Sequence, residues 1–317
     1  MDRHEPAIPA PAFLRRWQTW SMLLVLMLFP FFIRIPKALN HHPIISPIGD
    51  QVHIFLLGGI ALLVYWVGPL RGRLWWAAGA AALIGGAVEF LQLLVGRQAL
   101  FTDFLLDLVG IGLVVGWVLW RGHGNRAGRA LFLVLLLSIP VQLYYLPMRI
   151  AATYHSRDLF PVLADFGRWS DRYLWHVNME ARLTYPEIDD APGGSSRVLQ
   201  LDGGPPTHWP GAVLKRFPDD WSTYRELQFD VRLVRSPGPE ARLGVRIDDY
   251  EGLREDKWTS QNFAVSRQWQ TMTMPIRNRR LHHSERDLDL TQVDRIIFYF
   301  GKPSDSLAVQ IDNIQLQ

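Results

Sequence analysis

Five apolar runs occupy the first 150 residues, at 17–35, 51–67, 74–95, 100–120 and 130–146, and they exclude a purely soluble chain. Each approaches the ~20 residues that a helix needs to cross the hydrocarbon core. Pro30 falls near the end of the first run. The fifth contains Pro140 and closes on Tyr144, Tyr145 and Pro147, an interfacial aromatic cluster. The runs predict an α-helical membrane bundle of four to five transmembrane helices over 17–147, behind a polar cytoplasmic tail at 1–16. Arg34 and Lys37 follow the first run without a small-residue cleavage pattern, so it reads as a span and not as a cleaved leader.

Charge divides along the same line. Residues 1–150 hold 12 Lys/Arg against 6 Asp/Glu, and residues 151–317 hold 21 against 24. The basic excess belongs to the membrane half, so the partner it points to is the lipid bilayer and not nucleic acid. With the N-terminus inside, the inner segments carry seven basic residues beside the spans (Arg15, Arg16, Arg71, Arg73, Arg121, Arg126, Arg129), besides Arg3 in the tail, and the outer ones four (Arg34, Lys37, Arg97, Arg149). An odd number of spans then puts everything after Pro147 outside. The expected location is a bacterial inner membrane, multi-pass, with an extracytoplasmic C-terminal domain. The chain has no cysteine, which removes disulfides, Cys-based zinc sites and thiol nucleophiles.

Ionisable groups within spans cost roughly 2.5–3.5 kcal/mol each at mid-helix. Their spacing here is ordered. Asp50 and His53 are three apart, Glu89 and Gln92 three apart, and Asp103 and Asp107 four apart, so each pair shares a helix face. Under the topology above all three pairs lie toward the outer leaflet, with Arg97 in the loop between the last two. One reading is mutual satisfaction: the groups pair and fix helix packing, aided by Gly85, Gly86, Gly110, Gly112 and Gly116. The other is a working site, in which the acids and His53 act on a headgroup or hold a cation. His-x-x-x-His spacing is absent, so no metal or other cofactor is assigned, and no catalytic residue is named.

The ordered set Asp50-Gln-Val-His53, Glu89-Phe-Leu-Gln92, Arg97 and Asp103-x-x-x-Asp107-x-x-Gly110 resembles the VanZ-like family over roughly residues 20–120. The resemblance implies a small helical membrane domain of bacterial envelopes, generally of four spans, without a settled reaction. This chain departs from it by a fifth span and an outer β domain, and an antibiotic-resistance phenotype does not carry over.

Residues 148–170 read as a linker. From about Asp171 the texture changes to short alternating runs separated by Gly, Pro and Asp, and 171–317 is expected to be an all-β, jelly-roll-like sandwich of eight strands. Leu227, Phe229, Val231 and Leu233 alternate strictly, as do Leu243, Val245 and Ile247. The run 296–300 is apolar on both faces and reads as a central strand. Val309 and Ile311 share one parity while Ile314 and Leu316 take the other, so a bulge is expected near Asn313. The segments Tyr224-Arg-Glu-Leu-Gln-Phe-Asp230 and Val309-Gln-Ile-Asp312-Asn313-Ile314 look like the galactose-binding-like jelly rolls of carbohydrate-binding modules, which implies a saccharide ligand or a scaffold role.

Trp209, Trp221, Trp258 and Trp269 are the first places to look for sugar stacking, since an aromatic face suits the C–H face of a sugar. Trp221 and Trp269 each precede a strand and read as core plugs. The glycan-binding candidates are therefore Trp258 with Asp248, Asp249, Tyr250 and Asn262; the basic run 277–283 reads as a solvated loop. Two functions follow: an envelope protein whose sandwich binds glycan, or a membrane enzyme acting on a lipid-linked or envelope substrate through the Asp/His/Glu/Arg cluster. Five spans without an inverted repeat count against a transporter.

Overall fold

The computed structural model describes residues 17–32, 52–94, 101–192, 194, 196–206, 208–255 and 257–317. The chain forms two units, Met1–Leu146 and Pro147–Gln317.

The first unit is helical: α1 (Trp17–Phe32), α2 (Val52–Trp66), α3 (Leu74–Leu94), α4 (Phe101–His123) and α5 (Arg126–Leu143). Each expected apolar run holds one of them. Among the described residues only three stretches, Leu74–Leu91, Phe104–Gly122 and Arg126–Leu159, are long and apolar enough to cross a membrane, fewer than the four to five expected. The described part of α2 has 15 residues, which rise about 22 Å against the ~30 Å of a hydrocarbon core. Glycine sets the helix contacts. A Cβ on Gly110 of α4 would fall 2.0 Å from the Ile54 carbonyl oxygen of α2, and one on Gly116 would fall 2.7 Å from the Phe132 nitrogen of α5. Only glycine lets the backbones approach this closely. The outward surface stays apolar, with Trp75, Trp76, Leu83, Leu137 and Val141 exposed.

Most of α6 (Tyr145–Leu159) belongs to the second unit, and β1 (Val162–Ala164) pairs with the last strand. The 148–170 segment is thus largely ordered structure, not a linker. The alternation signal missed it because α6 is only partly apolar and β1 is three residues long. A 3-10 turn (Trp169–Leu174) leads into β2 (Trp175–Asn178), β3 (Arg182–Thr184), β4 (Leu199–Gly203), β5 (Gly211–Lys215), β6 (Glu226–Arg235) and β7 (Glu240–Asp249). The short helix α7 (Tyr250–Glu255), β8 (Thr259–Ser266), β9 (Gln270–Pro275), β10 (Val293–Tyr299) and β11 (Leu307–Leu316) complete the unit.

One sheet runs β3-β4-β11-β6-β9, with β1 also on β11, and the second runs β2-β5-β10-β7-β8; every pairing is antiparallel. The unit is a helix-fronted β-sandwich. All eight expected strands are present, and β10 is central in its sheet as its two apolar faces require. Inner faces meet at Phe229 of β6 and Phe298 of β10, whose rings stand edge to face at 5.1 Å. The bulge falls where the parity changes: the β11–β6 register shifts between Asp312 and Gln315, and Asn313 takes φ 49°.

Candidate functional site

Strand parity builds the candidate site. On β7 the residues Leu243, Val245 and Ile247 face the core, so Gly244, Arg246 and Asp248 face outward; on β10 the outward residues are Arg295, Ile297 and Tyr299. Cross-strand register lines these up: Tyr299 opposite Gly244, Ile297 opposite Arg246, and Arg295 opposite Asp248. A Cβ on Gly244 would lie 2.3 Å from the Tyr299 ring, so the missing side chain is what lets the phenol lie over the sheet. Asn262 of β8 pairs with Gly244 and extends the same row toward solvent.

Trp209 and Trp258 flank this strip. Trp209 is 45% exposed, and its ring lies 5.6 Å from Tyr299. The Arg246 guanidinium sits 4.2 Å from the centroid of Trp258, and the His282 ring lies parallel to that indole, within 2°, at 5.3 Å. Beside Trp258 is an open groove lined by Ser260, Asn278, Arg279, Arg280 and His282. The segment expected as a solvated loop is therefore the groove rim. The His282 N–H donates to the Trp258 carbonyl at 2.6 Å, and Arg279 donates to the Ser260 carbonyl at 2.9 Å, so the rim is pinned to β8.

The two acids expected to meet sugar hydroxyls do something else. Asp248 is fully buried. It accepts from Arg246 Nε at 2.7 Å and Nη2 at 3.1 Å, and from Arg295 Nε. Its role is to hold Arg246 beneath the Trp258 ring. Asp249 is also fully buried; it accepts from Arg286 at 2.6 and 2.9 Å, from the Asp289 N–H at 2.8 Å and from the Gly252 N–H. Burial pushes its carboxyl up, but the Arg286 and backbone donors outweigh that and hold it below the ordinary carboxylate range. Tyr250 opens α7, with its N–H on the Gln292 carbonyl at 3.0 Å. Of the five expected residues, Trp258 and Asn262 lie on the exposed surface strip, whereas Asp248 and Asp249 are internal struts.

The other tryptophans divide. Trp221 is fully buried, donates to the Pro218 carbonyl at 2.8 Å and is the expected plug. Trp269 is half-buried with the Arg232 guanidinium 4.8 Å from its ring, on the outer face of the first sheet, so it is not a core plug. Sequence reasoning missed Arg246, Tyr299 and His282. Arg246 and Tyr299 carried a signal, the polar-out parity of strands whose other parity was plainly core.

In the helical unit, Glu89 on α3 and Asp107 on α4 are buried, 8% and 1% exposed. An Asp107 carboxylate oxygen lies where a Cβ on Gly85 would meet it at 3.0 Å, which places Asp107 in the α3–α4 contact. Asp50 and Arg97 fall outside the described residues. His53, Gln92 and Asp103 lie on α2, α3 and α4, but their side chains fall outside what is described.

No family model matches the chain, and no curated protein matches it. Solved structures similar to the C-terminal half are carbohydrate-binding module jelly rolls and parts of glycoside-degrading enzymes. A family 11 carbohydrate-binding module of a cellulosomal cellulase from Clostridium thermocellum is 19% identical, with a TM-score of 0.37, covering 49% of this chain and 92% of that one. A family 30 module from the same organism is 18% identical, with a TM-score of 0.36, covering 45% and 91%. An exo-beta-agarase is 19% identical, with a TM-score of 0.41, covering 49% of this chain and 24% of that one.

Proposed function

We propose that the protein is an integral component of a bacterial cell membrane whose sandwich binds glycan outside the cytoplasm. The observation that carries the binding half is the outward strip on the second sheet: Trp209, Tyr299 over Gly244, Asn262, and the Arg246–Trp258–His282 stack beside an open groove. Trp209 and Tyr299 give stacking faces, Trp258, packed against Arg246 and His282, walls the groove, and Asn262, Ser260, Asn278 and Arg280 supply hydroxyl partners. The membrane half is supported by the exposed apolar side chains of α3 and α5 and by three helices of sufficient length. The inner excess of Arg and Lys supports a cytoplasmic N-terminus and an outer sandwich.

Within that reading the helical unit is VanZ-like. Three members of the ordered set support this reading: Glu89 and Asp107 are buried, and Gly110 passes close against Ile54. An enzyme acting on a lipid-linked substrate is the second reading, favoured by these same buried acids. The test of the binding function is a titration of the full chain in detergent. The ligands are bacterial polysaccharides and a mixed-linkage β-1,3-1,4-glucan oligosaccharide, read by heat or fluorescence. Binding by the wild type that weakens about 3–10-fold in Trp258→Ala is the expected result. No binding to any member of the panel contradicts it.

A further inference from the structure

Away from the strip, three side chains converge at the junction of α6 with the sandwich. His155 comes from α6, Asp165 from the loop after β1 and Asp171 from the 3-10 turn. One ligand atom from each lies within 4.8 Å of the other two. They line a small cavity with room for about one water-sized particle. Asp171 is 5% exposed, and its Oδ1 is buried with no hydrogen-bond partner among the described residues; Oδ2 accepts from the Arg168 N–H at 3.2 Å. Ser156 Oγ and Trp175 Nε1, from the same lining, are likewise buried without partners. A buried carboxylate oxygen left unsatisfied is costly and calls for an occupant.

We propose that His155, Asp165 and Asp171 hold a single borderline divalent cation, zinc being the best fit, which clamps α6 to the sandwich. The His155 imidazole and the Asp165 and Asp171 carboxylates each offer one donor atom to such an ion. Imidazole with two carboxylates is a donor set for zinc and its neighbours, whereas calcium takes 6–8 oxygens. Tetrahedral donors about 2.0–2.2 Å from zinc are ~3.3–3.6 Å apart, so the three groups, within 4.8 Å of one another, close by up to roughly 1.5 Å around the ion. Burial, the largest influence on Asp171, raises its pKa, and among the charges that reach it His155 and Arg168 lower it while Asp165 raises it. No linear motif reveals the set, because the ligands come from three different elements.

The test uses the full chain in detergent, stripped with chelator, dialysed against zinc and then freed of excess. One zinc per chain, a rise in melting temperature with zinc, and at least a tenfold loss of retained zinc in both His155→Gln and Asp165→Asn are expected. Circular dichroism identical to wild type shows that these variants fold; Asp171→Asn, isosteric and buried, serves if either does not. Wild type that retains no more zinc than the folded variants overturns the proposal and leaves a water in the cavity. Stabilisation by calcium but not by zinc also overturns it.

Discussion

The two units bury carboxylates in different ways. In the sandwich, Asp248 and Asp249 are fully buried, and each is met by guanidinium groups, Arg246 and Arg295 in one case and Arg286 in the other. In the helical unit, Glu89 and Asp107 are buried on apolar helices, and Asp107 rests against Gly85. The same residue type is a strut in one unit and a member of a helix contact in the other. The sandwich struts arise because strands bring residues far apart in sequence opposite one another, as Arg295 lies opposite Asp248.

The largest effect is expected at a strut. Arg286→Ala leaves Asp249 buried without its charged partner and should cost about 3–5 kcal/mol of sandwich stability, read by denaturant unfolding of the full chain in detergent through tryptophan fluorescence. A loss under about 1 kcal/mol would show that the backbone donors from Asp289 and Gly252 suffice.

A second effect is pH-dependent. Burial, with Arg149, Lys215 and Arg216 adding to it, pushes His176 down from 6.5 to about 3. The unfolded chain takes up this proton below 6.5, and the folded chain refuses it until about 3. The contribution of neutral His176 is therefore fully present above 6.5 and is lost as pH falls through that window. Melting temperature should decline over the same range, by the equivalent of about 2–4 kcal/mol at most, and His176→Phe should flatten the decline. An unchanged acid limb in that variant would move the cause elsewhere.

The helical side of the comparison is tested at Gly110. Gly110→Ala forces a Cβ toward the Ile54 carbonyl and should cost about 1–3 kcal/mol, seen as a lower thermal midpoint in detergent, while the sandwich transition stays in place. A shift of both transitions would show that the units unfold together.

Much of the sandwich was legible in the sequence because alternation reports a half-buried strand directly. The strict pattern of β6 and β7, the two-sided apolar run of β10 and the parity change at Asn313 all mapped onto the structure. The strands β1, β2 and β3 escaped because three or four residues do not establish a period. The candidate strip was half legible. Trp258 and Asn262 stood out as residue types, but adjacent acids after a strand look the same whether they face a ligand or a buried arginine. Only register shows that Arg295 lies opposite Asp248, and Arg286 reaches Asp249 from 37 positions away. The helices were legible as apolar runs, but their described lengths were not, since an apolar run does not announce where its helix ends.

The outward face of the second sheet as the glycan-binding surface is the claim on which the functional account turns, and a face-resolved titration tests it most directly. The full chain and its Trp258→Ala, Tyr299→Ala and Trp269→Ala variants are titrated with the same polysaccharide panel. Trp269 lies on the outer face of the other sheet. The account predicts weakened binding in the first two and wild-type binding in the third. Equal losses in all three, or binding that depends on Trp269 alone, would contradict it.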